Sequence, residues 1–390
     1  MTPLSSVVNS FKLYFSNSNR WTILVAIISG IAYYLAFDFL RWNQYDSASY
    51  EAGARLLFGL EGGADLQGRM SKPLVLLLPG FFEYVFGITP KYGFLTQSGI
   101  CFVLLLFLWK EILRNLNFSE NIQKLGVLML VLSQPVAVFS FGILADFPGW
   151  CFMLWLINTY LTSKKSTQWM KIALITFIGL LVKESVFVGV IFILISEIFK
   201  TPNRIINVLK FVMLFSVIYI STQLLLQSLN FEGLLSRQRE IRNWGGVFEI
   251  QDISQVFQVW RAFEGVWWFL LVPVFFQNKE RISQHWFRVT IVSFVVCVVI
   301  IPFIHPAFLV DRVLFMFFPL IFIPVLMLVK TYEYPKLSVL IVISGIFSLS
   351  YTWLIYHYTF QGIFPVYFTV SLIFPLTFLY LFHRKGSVSV

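Results

Sequence analysis

The chain has 390 residues, of which 58% are hydrophobic and 12% charged, at a mean hydropathy of +0.79. A balance this apolar excludes a water-soluble domain and implies an integral membrane protein with many helical spans. The net charge of +10 comes from basic residues scattered through short connections, without the basic stripe that nucleic acid requires, and the three cysteines lack the CxxC or Cys/His spacing of a metal or disulfide framework.

The first apolar stretch, 21–40, reads as an uncleaved signal anchor, because no small-residue cleavage site follows it. A long connection, Arg41 to Lys91, comes next. In it Ser47 is placed to cap a short helix, SASYEAGARLLF, with Ala48, Ala52, Leu56 and Leu57 on one face, a pattern suited to a membrane surface. A Gly-rich acidic loop, 59–68, leads to Pro73, which opens a second apolar helix ending near Phe86. That helix falls short of the ~20 residues a span needs and reads as interfacial or re-entrant. Spans are expected next at 92–110, 124–142 and 148–163.

The apolar run from Ile172 to Phe199 is interrupted at its middle by Lys183-Glu184. A lysine at the centre of a membrane helix costs roughly 2.5–3.5 kcal/mol on insertion scales, so such groups face a polar cavity or mark a functional path. Read as one span, the run would invert everything after it and move Lys279, Arg281, Arg288, Arg384 and Lys385 outside, against the preference of positive charge for the cytoplasmic side. Read as two short helices, 172–182 and 185–199, it leaves most of the 29 Lys and Arg on the side that holds both termini. The split reading is favoured, and it sets Lys183-Glu184 near the non-cytoplasmic face, where a broken helix must line a protein cavity.

Further spans are expected at 211–228, 262–277, 289–304, 312–329, 337–356 and 362–382, with a polar segment at 229–261 and an amphipathic helix starting at Asp252. The expected fold is therefore an all-α polytopic membrane protein of about twelve transmembrane helices, with amphipathic juxtamembrane helices in the first outside loop. It forms a single membrane-embedded domain, 1–390, with both termini cytoplasmic. Trp21, Trp42, Trp109, Trp169, Trp260, Trp286 and Trp353 fall near the expected span ends, as an interfacial belt would. On the outer face this topology gathers Asp46, Glu51, Glu61, Asp65, Glu83, Asp146 and Asp311 together with Lys72, Lys183 and Arg312, which points to a polar site there.

Several segments in this order resemble the GT-C glycosyltransferases, membrane enzymes that take a sugar from a polyprenyl-phosphate carrier. WNQYDSASYEAGARLL is similar to the family's loop Asp and small-residue helix, and SKPLVLLLPGFFEYVFG to its basic-Pro-Pro-Leu segment, with one proline missing. LSQPVAVFSFGILADFPGWCFMLWLINTYL resembles its Pro-containing third span, outside Asp and fourth span. LLVKESVFVGVIFIL resembles the L-x-K helix break of protein O-mannosyltransferases and aminoarabinose transferases, and HPAFLVDRVLFMFFPLIFIP the start of a distal span, with Val313 where Tyr is usual. The likeness covers about 20–330; the spans at 337–382 add nothing to it.

The resemblance implies an inverting single displacement at the non-cytoplasmic face, with a carboxylate accepting the acceptor's proton and cations stabilising the departing phosphate. It puts Asp46 at the position of the base. Lys183 and Arg312 become candidates for the lipid phosphate, and Lys72 for phosphate or headgroup contact. Asp146 assists at the site, Glu184 orients Lys183, and His305 touches substrate. Each residue also has a plainer reading: Asp46 and Asp146 as helix caps, Lys183 and Lys72 as snorkelling or paired cations, Arg312 as a surface charge beside Asp311, and His305-Pro306 as an interfacial turn. The implied partners are a polyprenyl-phosphate sugar donor and the lipid bilayer, with the acceptor open and no nucleic acid. No cofactor or metal is expected, because the carboxylates show no ligand spacing. A compact chain without outside glycosylation sequons suggests a bacterial inner (plasma) membrane. A transporter or flippase of a lipid-linked or anionic substrate, and a polysaccharide polymerase or ligase, stay open as alternatives.

Overall fold

A computed structural model describes residues 17–37, 46–60, 69–163, 165–200, 204–229, 231, 285–304, 314–332 and 335–358. Among them are thirteen α-helices: α1 (Asn17–Ala36), α2 (Ser47–Leu57), α3 (Pro73–Phe86), α4 (Pro90–Asn115), α5 (Glu120–Val131), α6 (Gln134–Phe139), α7 (Asp146–Thr162), α8 (Lys165–Leu180), α9 (Val186–Lys200), α10 (Arg204–Ser228), α11 (His285–Ile304), α12 (Phe318–Tyr332) and α13 (Pro335–Tyr358). Proline stands at the first helical position of α3 and α4, where its missing N–H costs nothing.

Helix α7 is the hub of the bundle. It packs on α4 on one side and on α8 and α9 on the other; α9 carries α10 and α11, and α11 carries α12. The core between these helices is aromatic. Trp109 is fully buried, edge-on to Phe318 at 5.4 Å between ring centroids, and its indole N–H donates to Gly126 O at 3.0 Å. Trp150 lies 5.1 Å from Phe315, and Phe192 stacks on Trp286. Trp109 is thus a core residue and not part of an interfacial belt, while Trp42 and Trp260 lie outside the described residues.

The break expected at Lys183-Glu184 is present: α8 ends at Leu180, α9 begins at Val186, and residues 181–185 turn between them. The short helices after the first span are present too. α2 buries Ser47, Ser49, Tyr50, Gly53 and Ala54 against the bundle, which leaves Ala48 and Leu56 of its expected membrane-surface side exposed. Asp46, not Ser47, holds the cap position, and its side chain makes no capping hydrogen bond.

The expectation of about twelve transmembrane helices is overturned. Among the described residues three helical segments are long and apolar enough to cross a membrane: Asn19–Ala36, Pro90–Asn115 and Val208–Ser228. Five further apolar helices, Pro73–Phe86, Gln168–Leu180, His285–Ile300, Phe315–Lys330 and Ser338–Leu354, are shorter. Two physical reasons account for the difference. Apolar windows that read as single spans are cut by the chain, as at Ser133-Gln134-Pro135, which divides 124–142 into α5 and α6. Apolar residues are also consumed by helix–helix contact: most of α9, from Val186 to Glu197, is buried within the bundle. The expected spans at 262–277 and 362–382 lie outside the described residues. What the fold gives plainly is an all-α protein with a few long apolar helices, consistent with a membrane protein.

Helices α2 and α3 form a closely packed pair that depends on Gly80. A Cβ at this position would lie 2.4 Å from Ala54 O and 2.5 Å from the Phe58 ring, and a backbone oxygen cannot swing aside. Gly80→Ala is therefore expected to destabilise the protein by about 1–3 kcal/mol through overpacking, although alanine is intrinsically the better helix former by about 1 kcal/mol. Thermal unfolding in detergent decides the sign; an unchanged or raised midpoint would show that the two helices separate at no cost.

Candidate functional site

Three chain segments meet at one end of α7: the residue before α3, the turn between α8 and α9, and the first residue of α7. The backbone ties two of them directly, since Leu74 N donates to Leu181 O at 3.3 Å. Tyr50 of α2, Val75 and Leu76 of α3, Phe94 of α4, Ile143 to Ala145 and Val182 of the turn form one apolar cluster around this junction. Within it the turn is set by its own carbonyls: Lys183 N donates to Gly179 O at 2.8 Å as the last turn of α8, and Phe187 N to Glu184 O at 3.0 Å as the first of α9.

The charged side chains at this junction form a single alternating chain. Lys72 Nζ lies 3.1 Å from Glu184 Oε2 and 3.4 Å from Oε1; Lys183 Nζ lies 3.2 Å from Glu184 Oε1 and 3.6 Å from Asp146 Oδ1. Burial increases along it, from 13% and 16% side-chain exposure at Lys72 and Glu184 to 8% at Lys183 and 3% at Asp146. Buried charge is tolerated only when paired, and these four groups sum to zero. Gly149, one helical turn after Asp146, makes room for the lysine: a Cβ there would fall 2.5 Å from both Lys183 Cβ and Ser185 Oγ.

Of the residues expected to form the site, Lys72, Asp146, Lys183 and Glu184 are thus brought together. Asp46 stands at the start of α2, the helix whose Tyr50 and Ala54 belong to the same apolar cluster. Arg312 and His305 lie outside the described residues, as do Glu61, Asp65 and Asp311. Glu51 and Glu83 take part in a separate cluster on α2 and α3, where Arg55 Nε donates to Glu83 Oε2 at 2.9 Å.

Two buried serines stand out only in the structure, one in the turn at the junction and one at the start of α2. The Ser185 and Ser47 hydroxyls are buried, and neither has a hydrogen-bond partner among the described residues. Serine is common at turns and helix starts, so only the tertiary surroundings single these two out. Among the described residues no three His, Cys, Asp or Glu side chains come together as a metal ion would require.

An apolar cleft of about 460 Å³ opens between α1 and α13, lined by Ala32, Tyr33, Ala36, Phe37, Trp353 and Leu354 among others. Its wall connects to the charged junction through rings: Tyr33 is edge-on to Phe102 at 6.3 Å, and Phe102 lies 6.2 Å from Phe147, the neighbour of Asp146. The Tyr33 hydroxyl donates to Val131 O, leaving the wall largely hydrocarbon.

Comparison of the chain with protein-family models, with curated proteins and with solved structures finds no match in any of the three. The likeness to the GT-C enzymes consequently rests on the motifs alone.

The α2–α3 cluster makes stability depend on pH. Burial pushes the Glu51 carboxyl above its ordinary value of 4.5, an effect that the attraction of Arg55 and Lys91 offsets only in part. The folded chain therefore keeps a proton on Glu51 to higher pH than the unfolded chain, and stability falls as pH rises from the ordinary to the raised value. Glu51→Gln should remove this slope. Its unfolding midpoint is expected to exceed that of the parent protein near neutral pH, with the difference shrinking below pH 4.5, where Glu51 is protonated in both states. Midpoints measured from pH 4 to 8 check this; a difference independent of pH would contradict it.

Proposed function

We propose that this protein transfers a sugar from a polyprenyl-phosphate donor to an acceptor hydroxyl, at the membrane face that carries the Lys183 turn. The observation that supports this reading best is the meeting of Lys72, Lys183, Glu184 and Asp146 at a break in an apolar run. A lipid phosphate needs cations at membrane depth, and a helix break lined by two lysines supplies them. The hydrocarbon cleft beside α1, joined to the junction by a path of aromatic rings, suits an isoprenoid chain.

In this reading the acceptor oxygen forms a bond to the anomeric carbon as the bond from that carbon to the phosphate oxygen breaks. The acceptor proton passes to the Asp46 carboxylate, and the electron pair leaves on the polyprenyl phosphate. Lys183 and Lys72 stabilise the charge gathering there. Asp146, the most buried member of the chain, holds Lys183 in place from the first turn of α7.

The test is turnover in proteoliposomes supplied with a panel of polyprenyl-phosphate-linked pentoses and hexoses. The wild-type protein is expected to release polyprenyl phosphate from at least one donor. Asp46→Asn should lower that rate by about 10²-fold or more while donor binding persists. Near-normal turnover in this variant would remove Asp46 as the base. Movement of intact donors across the bilayer without cleavage would replace transfer by translocation.

A further inference from the structure

Glu184 occupies the place that an anionic headgroup would take. Its two carboxylate oxygens bridge two ammonium groups, Oε2 at 3.1 Å from Lys72 and Oε1 at 3.2 Å from Lys183. A phosphate monoester held by the same lysines would use the same two-point geometry. The lysines are not available to it while all four charges are in place, because the chain of two lysines and two carboxylates is already neutral. Added to these four described groups, a phosphate would leave them with a net negative charge in a buried setting, which is strongly unfavourable. Binding therefore requires one carboxylate to withdraw.

The structure distinguishes the two carboxylates. Asp146 is fixed in the first turn of α7, its side chain 3% exposed. Glu184 belongs to neither helix; it sits in the five-residue turn between α8 and α9, and its longer side chain is 16% exposed. The buried Ser185 hydroxyl, next in sequence to Glu184 and facing Gly149 with the Lys183 stem, is a donor with no acceptor among the described residues. We infer that Glu184 is an internal stand-in for the phosphate of the ligand: it neutralises Lys72 and Lys183 in the unliganded protein and is displaced when a phosphate monoester binds. This inference rests on the phosphate-binding reading above and adds regulation to it. Asp146 stays in place and keeps Lys183 charged and oriented in both states.

The consequence is opposite in sign to that of an ordinary site residue, since removing the charge of Glu184 tightens binding. The experiment measures binding of decaprenyl phosphate to the full chain in phosphatidylcholine nanodiscs, with decaprenol and inorganic phosphate as comparison ligands. The wild-type protein and the Glu184→Gln, Glu184→Asp and Lys183→Met variants are compared. Glu184→Gln is expected to bind decaprenyl phosphate roughly tenfold more tightly than wild type, the factor that corresponds to about 1.4 kcal/mol. Glu184→Asp keeps the charge but is one methylene too short to bridge both lysines, and should fall between the two; it carries the test if the glutamine variant does not fold. Lys183→Met should weaken binding about tenfold or more. If Lys183→Met weakens binding but neither Glu184 variant tightens it, the stand-in role is overturned and the phosphate site remains. If wild type and variants all fail to distinguish decaprenyl phosphate from decaprenol, the phosphate reading fails and this inference with it. Inorganic phosphate competing on equal terms would overturn a lipid-headgroup site in favour of a free-ion site.

Discussion

One buried chain of charges holds together the end of the bundle where α3, α7 and the α8–α9 turn meet. Lys72, Glu184, Lys183 and Asp146 come from three segments that are far apart in sequence, and each is paired with the next. Ionised groups at this depth are unfavourable one at a time and tolerable only as a neutral set. The set therefore acts as a constraint on its surroundings: it fixes the start of α3, the α8–α9 turn and the start of α7 relative to one another. Gly149 is needed because the lysine crosses the face of α7, and the apolar cluster of Tyr50, Val75, Phe94 and Val182 seals the junction. The proposed exchange of an internal carboxylate for an external phosphate is argued from the same pairing.

The rest of the bundle supports that end through aromatic packing. Phe147 and Trp150 follow Asp146 on α7 and join it to Phe102 and Phe315, so that the first turn of α7 is anchored on two sides. Trp109 and the rings of α12 continue this core toward the other end. Asp146 is thus held in the first turn of a packed helix, whereas Glu184 stands in the turn between α8 and α9.

The sequence made some of this legible and hid the rest for identifiable reasons. The break at Lys183-Glu184 could be read because charge inside an apolar run is costly and a turn relieves it. The helix opened by Pro73 could be read because proline marks a first turn. The pairing of Lys72 and Asp146 with that break could not, since nothing local to residues 72 or 146 reveals what lies across from them. The number of membrane spans was overestimated because hydropathy scores an apolar side chain alike whether it meets lipid or another helix, and Val186 to Ile195 meet helices. The side read for α2 was that of Ala48, Ala52, Leu56 and Leu57, suited to a membrane surface; Tyr50 and Ala54 pack into the bundle, and Leu57 lies partly buried against their cluster. Arg312 and His305 lie outside the described residues, and their place relative to the junction is a question for the same site.

The coupling between Lys183 and Asp146 is the most direct measure of whether the charge chain is one physical unit. A double-mutant cycle of Lys183→Met, Asp146→Leu and the combined variant, followed by reversible unfolding in detergent, isolates it. The account predicts that each single change destabilises, by up to about 3–5 kcal/mol, because it unbalances the buried charges, and that the double variant recovers much of that loss, with a coupling of at least about 1.5 kcal/mol. Strictly additive losses, within about 0.5 kcal/mol, would show that the two side chains are neighbours without being partners, and the account would fail with them.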